Sequence, residues 1–125
     1  MTPIERQFEQ LRVLWPEAAI TGLADGSYLI TVPSVELPPG WNKARTDVVF
    51  IAPVGYPLAK PDCFWTDFDL RLANGGLPQN SQQNQIPHLS DQRWWFSWHL
   101  ASWNPNTDNL MTYFNVIKCR LQQAV

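Results

Sequence analysis

Apolar residues recur at Ile4, Phe8, Leu11 and Trp15, the three-to-four spacing of one helical stripe, with polar residues between them on the opposite face. Thr2-Pro3-Ile4-Glu5 opens that stretch as a helix start: Thr2 caps, Pro3 takes the first helical position where no N–H is needed, and Glu5 closes a capping box. Pro16 ends it, because the residue before a proline is pushed out of the helical region. The pattern predicts a helix over 3–15.

The period then changes. Residues 18–23 and 28–32 are rich in β-branched and apolar side chains around Ala24-Asp25-Gly26-Ser27, and Asp-Gly supplies the positive φ angles of a tight hairpin turn. A proline-rich connection from Pro33 to Gly40 leads to Thr46-Asp47-Val48-Val49-Phe50-Ile51-Ala52, whose unbroken apolar run suits a strand covered on both faces. A fourth strand is expected over 63–68, after the stiff corner Tyr56-Pro57-Leu58-Ala59-Lys60-Pro61. Between Leu72 and Gln92 the only formal charge is Asp91, and residues 74–85 show no apolar period, so a long loop is expected here, either functional or disordered. Four tryptophans then fall within ten positions, Trp94, Trp95, Trp98 and Trp103, around His99. Leu110, Tyr113 or Phe114, Ile117 and Leu121 give a closing helix over about 107–122.

With 125 residues and 45% hydrophobic content, the chain has the length of one domain, expected to span 1–125. No apolar run approaches the ~20 residues that cross a bilayer, so no membrane partner is expected. The start, MTPIERQFEQ, lacks the basic and apolar regions of a secretory signal, which predicts a cytoplasmic protein. Net charge is −2, from 9 basic and 11 acidic residues, with no Lys/Arg cluster to neutralise phosphates; nucleic acid is not an expected partner. Charged residues reach only 16%, against roughly 25% in an average domain, while 7 tryptophans and 11 prolines are present. A surface made partly of amides and rings suits contact with another molecule.

Candidate chemistry is narrowed by absence. Cys63, Cys119, His88 and His99 are scattered singly, without the short spacings of a zinc site. Gly75-Gly76 lacks the βα unit and the lysine of a phosphate loop, and no Gly-x-Ser-x-Gly turn is present. No cofactor is expected.

The order helix, four-stranded meander, Tyr-Pro corner, long loop, Trp-x-Pro, helix resembles the ubiquitin-conjugating-enzyme (UBC) fold, an α+β architecture. In that family a strand ends in Phe-Pro-x-x-Tyr-Pro-x-x-Pro-Pro. Here Ala52-Pro53-Val54-Gly55-Tyr56-Pro57-Leu58-Ala59-Lys60-Pro61 keeps the first proline, the Tyr-Pro and the last proline. The family's Trp-Ser-Pro before a helix is matched by Trp103-Asn104-Pro105. More narrowly, Pro61-Asp62-Cys63-Phe64-Trp65, Phe96-Ser97-Trp98-His99 and the Trp-x-Pro are similar to bacterial UBC-like families that occur with ubiquitin-like modifiers. The resemblance implies an N-terminal helix, a four-stranded antiparallel meander, a long active-site loop and a C-terminal helix. It also implies two partners, a ubiquitin-like modifier and an adenylating activating enzyme, the latter met by the polar face of the first helix: Glu5, Arg6, Gln10 and Arg12.

The departures bear on the chemistry. In the family the thioester cysteine lies eight residues before the Trp of Trp-x-Pro, a position taken here by Trp95. The family's His-Pro-Asn has no counterpart, since His88 follows a proline and precedes no asparagine. Substitute nucleophiles are Cys63, whose thiolate would be the strongest available, and Ser97, two residues from His99 and so on the same side of an extended segment. A histidine base contributes ~10²–10⁴ in rate. Against these stand structural roles: Cys63 sharing a buried face with Trp65, and His99 bonded to backbone among tryptophans. Cys119 has no motif support. The alternatives to transfer are a UBC-like module that binds modifier or activating enzyme without catalysis, and, from another class, a carbohydrate-binding module using an exposed tryptophan as a platform.

Overall fold

The computed structural model describes residues 2–98 and 100–125. Helix α1 runs Pro3–Leu14, followed by β1 (Ala19–Gly22), β2 (Tyr28–Glu36), β3 (Arg45–Ala52), β4 (Phe64–Thr66), β5 (Ser81–Gln85), β6 (Gln92–Phe96) and helix α2 (Leu110–Leu121). All paired strands are antiparallel, and the sheet order is β1-β2-β3-β4-β6-β5. The architecture is α+β with a helix at each end of the chain.

The four-stranded meander expected from sequence is corrected to six strands. The first four lie where the sequence put them, within a few residues, but the stretch expected as loop holds β5 and leads directly into β6. Five residues, Ser-Gln-Gln-Asn-Gln, form β5 without a single buried side chain. Their pairing is set by β6, in the register Ser81↔Phe96 to Gln85↔Gln92. Residues 94–96 hide β6 because Trp-Trp-Phe shows no alternation, although Trp94 and Phe96 face one side and Trp95 the other. The expected helix over 107–122 begins later, at Leu110. Asn104 accepts backbone bonds from Thr107 and Asp108 in a preceding turn, and Asn109 caps the helix through a box with Thr112.

Both sheet faces are covered. Ile30, Val32, Val48, Phe50, Phe64 and Phe96 meet Ile4, Phe8 and Leu11 of α1 and Tyr113, Phe114 and Ile117 of α2 in the main core. On the other face Val49, Trp65 and Ile86 form a second cluster, flanked by Leu29, Ile51, Cys63, Leu89 and Trp95. The continuous apolar run of β3 is explained by this arrangement, with Val48, Val49 and Phe50 all 1% exposed or less. At the tight turn before β2, Gly26 takes φ +91°, as the Asp-Gly pair requires, and the Asp25 carboxylate accepts from the Ser27 N–H at 2.9 Å. No helix is long and apolar enough to cross a membrane among the described residues.

Candidate functional site

The corner after β3 is pinned from three sides. The Tyr56 hydroxyl donates to the Gln7 side chain, whose oxygen also accepts from the Leu110 N–H at 3.2 Å, so one half-buried amide ties α1, the corner and the start of α2. The Lys60 ammonium donates to the Leu100 carbonyl at 3.2 Å. The Tyr56 and Trp103 rings lie 6.0 Å apart. Burial pushes the Tyr56 hydroxyl pKa well above its ordinary value, with the Asp108 charge acting in the same direction, so this phenol stays a donor. Sequence reasoning missed Gln7, because a polar residue on a helix carries no periodic signal.

Cys63 stands one residue before β4 and is half-buried. It lines a small cavity of about 200 Å³ with Ile51, Pro53, Lys60, Asp62, Trp65 and Pro87. Desolvation raises its thiol pKa, opposed by a hydrogen bond from the Trp95 side chain and reinforced by the Asp62 charge. Ser97 stands one residue after β6 and is exposed. Its N–H donates to the Asn80 carbonyl at 2.9 Å, continuing the β5–β6 ladder by one step. It lines an open groove of about 540 Å³ with Asn80, Ser81, Gln82 and Trp95.

The two candidate nucleophiles, far apart in sequence, both flank the β4–β6 pairing and line separate cavities. The registers Phe64↔Phe96 and Trp65↔Trp95, carried one residue further, set Cys63 across from Ser97. Trp95 is near both: with Cys63 it packs against the Val49, Trp65 and Ile86 cluster, and it walls the Ser97 groove. The side chain at position 95 is thus an indole in the neighbourhood of both the Cys63 thiol and the Ser97 hydroxyl. His99 lies outside the described residues. His88 sits on the loop after β5, with its Nε2 3.5 Å from an Asp25 carboxylate oxygen, away from Ser97 in the fold's element order.

None of the four clustered tryptophans is fully exposed. Trp94 is buried with the Arg71 guanidinium 3.7 Å above it, and Trp95, Trp98 and Trp103 are half-buried. Arg120, only 4% exposed, lies beneath Trp98, Phe96 and Trp41 and donates to the carbonyls of Gln79, Gln123 and Val125. Burial lowers its pKa from the ordinary guanidinium range.

Glu5, Arg6, Gln10 and Arg12 are all exposed on α1, clear of the apolar stripe that holds the helix. Arg12 reaches Glu9 at 3.3 Å. These four residues are far along the chain from Cys63 and Ser97. No three His, Cys, Asp or Glu side chains converge to hold a metal ion among the described residues.

A family model described as prokaryotic E2 family E matches residues 17–124. The match takes in the whole sheet, the corner, the Trp-x-Pro and α2, and begins after α1. No curated protein and no solved structure matches the chain.

Proposed function

The chain belongs to the prokaryotic E2 family E, and from that premise we propose that it accepts the C-terminal glycine of a ubiquitin-like modifier from an adenylating activating enzyme and passes it on, using Ser97 as acceptor. Membership makes it an E2-like protein of a bacterial modification pathway, with a modifier and an activating enzyme as its general partners. The observation that carries the acceptor assignment is the position of Ser97: exposed, in an open groove, beside the Trp95 that stands where the family's cysteine is expected. In the transfer, the Ser97 hydroxyl oxygen attacks the activated glycyl carbonyl carbon. A C–O bond forms as the bond to the activating enzyme's leaving group breaks, and the hydroxyl proton passes to His99 as general base. Cys63 is the competing acceptor, disfavoured by its half-buried cavity and raised pKa.

A second reading is a non-catalytic E2-like binding module, favoured by the same Trp95. The bond type distinguishes them. With activating enzyme, modifier and ATP, an adduct on Ser97 is an oxyester that survives thiol reductant and yields to mild alkali, whereas an adduct on Cys63 is a thioester cleaved by thiol. Ser97→Ala is expected to abolish the alkali-labile adduct and His99→Ala to slow its formation. If the wild type forms no adduct, the binding module is the better reading.

A further inference from the structure

Strand β5 is the last strand of the sheet, paired with β6 on one side and with no strand on the other among the described residues. Edge strands expose a row of main-chain donors and acceptors, and proteins ordinarily blunt them with charge, proline or a bulge. Ser81-Gln82-Gln83-Asn84-Gln85 carries no charge and no proline, and its register with β6 runs unbroken over all five residues. Four of these five residues are exposed.

The ladder tells which main-chain groups point outward. Because the Ser97 N–H bonds to the carbonyl of its register partner Asn80, that pair is a hydrogen-bonded one, and antiparallel pairs alternate. Gln82 and Asn84 therefore turn their N–H and C=O groups towards β6, while Ser81, Gln83 and Gln85 turn theirs to the open edge. An extended segment added there gains main-chain bonds from three residues without needing any particular side chain.

We infer that this edge docks the extended C-terminal tail of the ubiquitin-like modifier as a seventh, antiparallel strand, an inference that rests on the acceptor reading above. Direction selects this occupant. β5 runs from Ser81 to Gln85, so an antiparallel tail runs from the Gln85 end towards Ser81 and delivers its C-terminus at Asn80 and Ser81, two of the residues that wall the Ser97 groove. A parallel segment would end at the far side, away from the hydroxyl. The uncharged edge also matches a segment recognised through its backbone, since neither sign of side chain is attracted or repelled by it.

The test uses substitutions that separate main chain from side chain. Gln83→Pro removes one outward N–H and leaves every β5–β6 ladder bond in place, so the fold tolerates it as edge strands tolerate proline. Gln83→Ala keeps the N–H and serves as the control. With the pathway's purified modifier as probe, Gln83→Pro is expected to bind about tenfold more weakly than wild type at unchanged melting temperature, the order expected for loss of a main-chain bond and the strand around it. Gln83→Ala should bind as wild type, modifier lacking its tail should lose the interaction, and the amides of Ser81, Gln83 and Gln85 should gain exchange protection on binding. Equal binding by wild type and Gln83→Pro overturns the inference while leaving the Ser97 adduct, measured separately, to stand. Edge protection by modifier without any adduct supports docking and removes the acceptor reading instead. Protection of these amides in the protein alone, rising with its concentration, overturns the inference in favour of a β5–β5 interface between two copies.

Discussion

The indole N–H of Trp103 donates to the carbonyl of Pro57 at 2.7 Å. The bond joins the Trp-x-Pro to the Tyr-Pro corner, the two short motifs on which the family resemblance rests, across 46 residues of chain. Their co-occurrence in the sequence thus has a physical cause: one motif supplies the donor that the other's proline-bound carbonyl requires.

Trp103→Phe keeps most of the ring against Tyr56 but removes that donor. Its expected cost is about 1–2 kcal/mol, one hydrogen bond with a half-buried carbonyl left behind. Urea denaturation of the two proteins measures it, and an unchanged midpoint would mean the bond contributes nothing.

The same comparison shows what the sequence could and could not convey. Where burial is one-sided or the chain turns through a special conformation, as at Phe8, Gly26 and Tyr56-Pro57, the residue pattern and the element agree. It is silent where an element exists only through its neighbour. Gln82 to Asn84 have neither periodicity nor strand preference, and become a strand because β6 offers its free edge. Ser97 and Cys63 are each legible as candidate nucleophiles, but their placement on either side of the β4–β6 pairing depends on a crossover past β5 that no local pattern encodes. The buried Arg120 was equally illegible, since an arginine in the last turn of a helix reads as a solvated cation at the helix C-terminus.

Arg120 ties the segment after α2 to the residues before β5 by donating to the backbone oxygens of Gln123, Val125 and Gln79. Arg120→Ala is expected to cost about 3 kcal/mol, because three backbone acceptors and three rings lose the same partner together. Arg120→Lys should recover little of it, since a point charge cannot span three acceptors as the planar fork does. Thermal unfolding of both variants decides the matter, and a lysine variant as stable as wild type would refute the geometric argument.

Gly40 offers an independent probe of the same segment. Its φ is +110°, and a Cβ there would come within 2.6 Å of the Ala124 Cβ. Gly40→Ala is expected to destabilise by about 1–3 kcal/mol from backbone strain alone, and to do so less in a variant that lacks Ala124's methyl, Ala124→Gly. Additivity of the two substitutions would show that the methyl contact is relieved without cost.

The polar face of α1 precedes the family match, so its role as the surface for the activating enzyme is a separate proposal. Replacing Arg6 and Arg12 together by Ala should leave the melting temperature nearly unchanged, since the Arg12–Glu9 pair is an exposed one worth a few tenths of a kcal/mol at most. Association with the activating enzyme should weaken. Phe8→Ala, in contrast, truncates a core ring and should cost about 3–5 kcal/mol. Equal binding by the wild type and the double arginine variant would remove α1 from the interface.

Cys63 and Cys119 provide an internal comparison for the acceptor assignment. Cys119 is exposed on α2, while Cys63 is half-buried in its cavity and desolvation raises its pKa above the ordinary thiol range. At neutral pH the fold therefore favours the neutral thiol at Cys63, and alkylation by iodoacetamide should modify Cys119 first, with Cys63 at least about tenfold slower for each unit its pKa is raised. The rate at Cys63 should keep climbing above about pH 8.5, where a free peptide thiol levels off. Linkage has a definite sign here: with the folded pKa above the unfolded one, the stability this thiol contributes is fully present below the unfolded pKa and is lost as pH rises through the folded one. Wild type should accordingly lose stability relative to Cys63→Ala on going alkaline. A Cys63 that reacts as fast as Cys119 at pH 7, with no further rise at alkaline pH, would make it an activated thiolate, and the thioester would then displace the Ser97 oxyester as the expected adduct.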